Sequence, residues 1–252
     1  MEKATVMPID PEILRMKEEH KQKLLEELSR KVPKEEKKQI IHDWGTLLPN
    51  MKRINWTQSV VRFCKFIGAM GVTIELEFLH SNRDYMFSIY VFSKLKGDYG
   101  GTLSVDSLNI PSNKHEERYL KEFEKASGKF LLPLNEAVSM TMIFDAFKQY
   151  SEKHNMDTNT PEIPALIAAW AGMDDLTKEA ADWAEETLRR QVSKCTNCTI
   201  GDYTFKNYIS FEDWREKFDA RLADRVGLQK LFEDKIKEFK LEKVPREELI
   251  LE

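Results

Sequence analysis

The hydrophobic positions at the start of the chain follow a helical period. After Asp10 and the proline that follows it, a pair typical of helix starts, apolar residues recur about every four positions and predict a helix up to Val32. A shorter helix is predicted to run to Trp44, with Gly45 as its C-cap residue. Residues 1–54 are therefore predicted to form a helical arm, which either docks on the rest of the chain or protrudes from it.

The middle of the chain combines a predicted helix with a predicted sheet. Apolar residues at helical spacing between Val60 and Ile67, ended by Gly68, predict the helix. Apolar and polar side chains then alternate, as they do in half-buried strands, and predict an antiparallel meander of three strands at 72–78, 85–96 and 102–110. The second strand is apolar on both faces, which is typical of the centre of a sheet.

Helices are predicted to cover this meander. One spans 111–127, and another begins at Asn135 and is apolar nearly all round between 137 and 144, as in a buried helix. The linker-like stretch 155–160 predicts a domain boundary. Beyond it the pattern predicts four helices, at 161–171, 174–192, 210–222 and 228–239, and one hairpin, at 195–208.

The expected fold class is α+β, mostly helical, in three segments: the arm at 1–54, a domain in which helices cover the three-stranded meander at 55–154, and a C-terminal helical region with a small hairpin at 155–252. Of the 252 residues 41% are hydrophobic, enough for a packed core. The 3 cysteines are too few to staple such a chain, which favours a reducing compartment. Since there is neither a membrane-length apolar run nor a signal-peptide pattern, we expect a cytoplasmic protein.

Charge is distributed unevenly along the chain. Residues 1–71 contain more basic than acidic side chains, although the net charge of the whole chain is -4. Five lysines near the N-terminus are candidate binding residues, namely Lys17, Lys21, Lys34, Lys37 and Lys38. Glutamates stand about one helical turn from them, which is typical of a solvated helix surface. Two interpretations stay open: an exposed charged helix, or a face that binds nucleic acid or an acidic partner.

Cys195 and Cys198 form a CxxC pair, the spacing found in zinc sites and redox centres. A tetrahedral zinc site needs four ligands, and no second pair follows at a suitable spacing. We therefore interpret the pair as two reduced thiols, with a metal site as the weaker alternative. Motifs for nucleotide, dinucleotide, serine-hydrolase, zincin and calcium sites are absent from the sequence.

The order helix, three-stranded meander, helix over residues 56–127 resembles that of metal-dependent nucleases of the restriction-endonuclease type. The resemblance implies a site in which Asp84, before the second strand, and Asp106, on the third, hold Mg²⁺. Leu108 occupies the position of the lysine that helps to activate water in these enzymes, so Lys94 or Lys96 would have to reach over from the neighbouring strand. This resemblance provides the alternative function, a Mg²⁺-dependent nuclease-like or nucleic-acid-binding protein.

Since no cluster of reactive side chains stands out in the sequence, we expect a non-enzymatic protein-binding factor, meaning a subunit, adaptor or inhibitor, without a cofactor. Its candidate surfaces are the five lysines, the side of the meander that carries Tyr90 and Phe92, and the C-terminal tail with Leu249 and Ile250. The expected partner is another protein. Nucleic acid at the basic region and a second copy at the N-terminal helix remain alternatives, and no membrane partner is expected.

Overall fold

The computed structural model describes residues 11–28, 31–79, 83–95, 102–154, 160–193 and 210–252. Within them the α-helices are α1 Pro11–Leu28, α2 Lys34–Leu47, α3 His115–Ser127, α4 Met140–Lys153, α5 Ile163–Ala171, α6 Asp174–Val192, α7 Phe211–Ala223 and α8 Arg225–Glu238. The strands are β1 Lys52–Asn55, β2 Val60–Ile67, β3 Met70–Phe78, β4 Asp84–Ser93, β5 Thr102–Pro111 and β6 Arg246–Glu247. The fold class is α+β, as the sequence predicts.

The sheet is larger than the predicted three-stranded meander. Strands β1 to β5 form a continuous antiparallel path in sequence order, and β6 pairs parallel to β2. The predicted strands correspond to β3, β4 and β5, with β4 between the other two. The extra strands β1 and β2 precede them, so the prediction of a helix at Val60–Ile67 is wrong.

The error at β2 has a physical cause. Phe63 faces one side of the sheet, Cys64 and Phe66 face the other side, and all three residues are buried. A strand that is covered on both faces shows no alternation of apolar and polar residues, and its apolar run is then compatible with a helix. Gly68 does not end a helix but forms the tight β2–β3 turn, with φ +55, a left-handed conformation that glycine adopts without strain.

The inner face of the sheet, defined by the row Phe63, Ile74 and Ile89, is covered by α2 and α3. The Trp44 ring of α2 lies 4.3 Å from the ring of Phe87 on β4. Helix α2 runs past Gly45 to Leu47, so the predicted C-cap is wrong. Gly45 is part of the helix and faces the Phe63 ring.

Helix α4 begins later than predicted and is not apolar all round. Its N-cap is Ser139, whose hydroxyl accepts a hydrogen bond from the Met142 amide. Thr141, Met142 and Asp145 are exposed, while Ile143, Phe144 and Phe147 are buried. The helix therefore packs with one side only and leaves the other side in solvent.

The C-terminal helices share one core with the sheet. Buried side chains form a single cluster from Val32 to Val244. Helix α7 begins at the predicted place, with a capping box formed by Ser210 and Asp213. The linker 155–159 and the hairpin 195–208 lie outside the described residues. No described helix is both long and apolar enough to cross a membrane.

The C-terminal tail returns to the sheet and is held there by its main chain. The Phe66 amide donates to the Pro245 carbonyl, and the Ile250 amide donates to the Val138 carbonyl. Buried Lys65 adds an ion pair, since its Nζ lies 2.6 Å from Glu247 Oε2. The tail thus extends the edge of the sheet beside β2 and then contacts the start of α4.

Candidate functional site

A pocket of about 230 Å³ opens on the outer face of the sheet, the face that carries the row Cys64, Thr73 and Tyr90. Helix α8 covers one end of this face, where the ring of its Phe232 lies 5.5 Å from the ring of Phe66. The other rows of side chains on this face are not covered by α8, and they line an opening between strands β1–β4 and the chain that follows α8. The pocket therefore forms where the covering helix ends.

The floor of the pocket consists of Cys64 and Thr73, neighbours across β2 and β3. The Cys64 Sγ and Thr73 Oγ1 atoms lie 3.3 Å apart and hydrogen bond to each other. Burial raises the pKa of the Cys64 thiol. The raised pKa favours the thiol over the thiolate, which is the nucleophilic form of cysteine.

One end of the pocket is organised by a charged network. Arg62 Nε and the Tyr90 hydroxyl both donate to Glu75 Oε2, the hydroxyl at 3.0 Å. Burial and the nearby Glu75 carboxylate raise the pKa of Tyr90, so its hydroxyl keeps its proton. The Arg62 guanidinium also lies 4.2 Å from the centre of the Trp56 ring, a cation–π distance. Among the described residues no hydrogen bond to its terminal Nη atoms is seen.

The other end of the pocket is formed by Phe92, Lys94 and Phe239. The Lys94 Nζ atom lies 3.7 Å from the centre of the Phe239 ring. The ring of Phe92 lies directly over Gly71, its partner across β3 and β4, where an added Cβ would be 2.1 Å from a ring atom. The absence of a side chain at Gly71 therefore leaves the space that the Phe92 ring occupies.

The polar groups in and behind the lining are engaged within the protein. The Cys64 thiol bonds to Thr73, and the Glu75 carboxylate behind the pocket is already engaged by Arg62 and Tyr90. The walls are aromatic, with Trp56, Tyr90, Phe92 and Phe239 around the opening. Aromatic walls combined with arginine are typical of recognition sites in proteins.

The pocket brings together some of the residues singled out in the sequence. Tyr90 and Phe92, proposed as a binding surface, line it together with Lys94, which was proposed for the nuclease alternative. Asp84 lies opposite Pro111 in the sheet, five positions along β5 from Asp106, which is a distance of roughly 17 Å along a strand. The backbone therefore does not place the two aspartates side by side, and the described residues contain no group of three or more potential metal-ligating side chains.

The five lysines do not form a uniform basic face. Lys17, Lys21, Lys34 and Lys38 are exposed, but Lys21 and Lys38 are paired with glutamates one turn away. Lys37 turns inward, where its Nζ lies 4.4 Å from the centre of the Phe78 ring and donates to the Gln58 carbonyl. Burial and the charge of Arg53 lower the pKa of Lys37. Two of the five lysines are thus paired with glutamates, and a third contacts the sheet.

The remaining candidate residues lie elsewhere. Leu249 is half-buried and packs on the core beside Gly68, whereas Ile250 is exposed but bonded through its main chain. Cys195 and Cys198 lie outside the described residues. Trp56, Arg62 and Phe239 were missed, because a helix was predicted where β2 lies and Phe239 was assigned to the predicted helix 228–239. The available signal for a strand was the alternation of polar Arg62 with its apolar neighbours. The consecutive apolar residues Phe63 and Cys64 obscured this alternation.

A second polar network lies on the inner face and is enclosed. Trp44 Nε1 donates to the Tyr85 hydroxyl at 3.2 Å, and that hydroxyl donates to His115 Nδ1 at 2.8 Å. His115 Nε2 then donates to Asp43 Oδ2 at 3.1 Å. Burial lowers the pKa of His115, although the hydrogen bond to Asp43 opposes this effect. Each polar atom of this network has a partner inside the protein, as expected of a structural element.

No family model matches the chain, and neither a curated protein nor a solved structure matches it. Evidence on the function of this chain therefore comes from the geometry of the pocket.

Proposed function

We propose that this protein is a non-enzymatic protein-binding factor, a subunit, adaptor or inhibitor, that receives a side chain of its partner in the pocket on the outer face of the sheet. The observation that carries the proposal is the aromatic-walled concavity left open beside the end of α8. Trp56 at its rim is 47% exposed. Exposed aromatic side chains around a concavity favour a partner that covers them.

The size of the pocket favours a protein partner over a small-molecule ligand. Sites for small molecules typically enclose about 300–1,000 Å³. The pocket encloses about 230 Å³, which suits one large side chain rather than a whole ligand of that kind. Such side chains, docked in pockets lined by aromatic residues and arginine, contribute most of the affinity at many protein interfaces.

The test compares partners purified from the native cell with three forms of the full chain. The wild type is compared with Trp56→Ala, which removes a pocket wall, and with Val226→Ala, a matched control at a residue of α8 that is 77% exposed and does not line the pocket. We expect one protein to bind the wild type and the control and to be depleted at least tenfold from Trp56→Ala. Equal recovery with all three forms, or no bound protein with any of them, contradicts the proposal.

A further inference from the structure

We infer that the partner segment is an extended acidic–aromatic peptide that places an aromatic ring in the pocket and a neighbouring carboxylate on Arg62. This inference rests on the proposed function and specifies the chemistry of the partner. It is carried by three features of the pocket: its walls, its charge and its length.

The walls select an aromatic ring. Tyr90, Phe92 and Phe239 present ring surfaces, and stacked or edge-to-face contacts between aromatic rings are favourable beyond simple burial. The polar groups of the floor, Cys64 and Thr73, are hydrogen bonded to each other. A buried polar side chain of the partner would therefore lack a partner there, whereas a ring would not.

The charge selects a carboxylate. The pocket lining contains two cationic side chains, Arg62 and Lys94, and no aspartate or glutamate among the described residues. Glu75 engages only the Nε side of Arg62, and the Trp56 ring supports the guanidinium from one side. The Nη atoms thus present a fixed fork of donors, the geometry that binds a carboxylate with two hydrogen bonds.

The length favours an extended peptide. Ser88 is the residue of β4 in the row of Arg62, since both pair with Glu75, and Phe92 lies four residues further along the same strand. Four residues of extended chain cover roughly 13 Å. A hexapeptide, which spans up to about 20 Å when extended, can therefore lie across the pocket with an acidic residue towards Arg62 and its aromatic ring beside Tyr90 and Phe92.

The experiment uses fluorescein-labelled hexapeptides and the full-length protein, with affinity measured by fluorescence anisotropy. Two peptides have a central phenylalanine flanked either by glutamates or by glutamines, and a third has serine between the glutamates. For the wild type we expect the glutamate–phenylalanine peptide to bind at least tenfold more tightly than either of the others. Arg62→Gln should reduce the preference for glutamate to less than threefold.

The matched control is Arg53→Gln, which removes the same charge from the neighbouring strand. Arg53 is exposed on β1 and bonded to Asn55, and it does not line the pocket, so the preference should persist. If Arg62→Gln unfolds, Arg62→Lys replaces it, because this variant keeps the charge but loses the fork, and an intermediate preference is expected.

Three results would overturn the inference: equal affinity of the wild type for the glutamate and glutamine peptides, an unchanged preference in the variants of Arg62, or no binding of any peptide. The inference would also be overturned if phenylacetate displaced the peptide and bound with the same affinity as the peptide, because a free small acid would then be sufficient for binding. The proposed function is judged separately, by the loss of a native partner from Trp56→Ala.

Discussion

Tyr85 and Tyr90 lie on the same strand, β4, but on opposite faces of the sheet, and each hydroxyl belongs to a hydrogen-bonded network that reaches a carboxylate. On the inner face, α2 and α3 enclose Tyr85 completely, and burial raises its pKa. On the outer face, the network of Tyr90 ends at Arg62, whose side chain is 26% exposed. Similar residue types thus form a sealed network on one face and an accessible pocket wall on the other.

The difference arises from the helices that cover the two faces. Trp44 from α2 and Phe123 from α3 pack against each other, with ring centres 5.8 Å apart, and close the inner face. On the outer face, α8 ends at Glu238. Phe239, the residue that follows, contributes an aromatic ring to the wall of the pocket. Polar groups that are sealed contribute to stability, whereas those left accessible can serve recognition.

The largest expected effect separates two tryptophans. Trp44→Ala should lower the free energy of unfolding by about 3–5 kcal/mol, because it leaves a large cavity in the core. Trp56→Ala should lower it by less than about 1 kcal/mol, because Trp56 is half exposed at the rim. Urea denaturation followed by circular dichroism measures both values. Equal losses would show that the two faces are not energetically different.

A second pair of variants removes the two hydroxyls. Tyr85→Phe should cost about 1–3 kcal/mol, because Trp44 Nε1 and His115 Nδ1 both lose their partner in the interior. Tyr90→Phe should cost less than about 1 kcal/mol, because Glu75 keeps its bond to Arg62. The same denaturation experiment measures the difference, and a larger cost for Tyr90→Phe would reverse the assignment of the two networks.

Two glycines sharpen the comparison further. Gly71→Ala places a Cβ in the space of the Phe92 ring and should cost about 1–3 kcal/mol while weakening peptide binding. The control, Gly45→Ala, meets Phe63 at 3.6 Å, an ordinary contact, and should be neutral or stabilising because alanine favours the helix. Melting temperatures and peptide affinities of the two variants test this. An unaltered affinity in Gly71→Ala would mean that Phe92 does not define the pocket.

The smallest expected effect depends on pH. The pKa of His115 is lower in the folded than in the unfolded protein, mainly because the ring is buried. The unfolded chain therefore binds the proton first, so this contribution to stability is complete above about pH 6.5 and is lost as the pH falls below that value. Urea midpoints from pH 8 to pH 5 should decline less steeply in His115→Gln than in the wild type. The control, His42→Gln at an exposed position of α2, should follow the wild type.

Elements that depend on local sequence could be predicted. The bounds of α6 agree with the prediction and those of α7 lie within one residue of it, because both helices depend on contacts within a few residues. Strands β3 and β4 were found because buried and less buried residues alternate along the whole of β4 and in the second half of β3. Strand β2 was missed because it is covered on both faces, and α4 was started too early because its apolar residues extend before the Ser139 cap.

The sequence alone determined the fold class and most of the helices and central strands, since hydrophobic periodicity and capping act over a few residues. It also singled out Tyr90, Phe92 and Lys94, although for two different functions. Only the tertiary structure decided that these three residues meet Arg62 and Phe239 around one opening. The physical reason is that the pocket exists where α8 stops short on the sheet, and that position depends on packing between residues far apart in the chain.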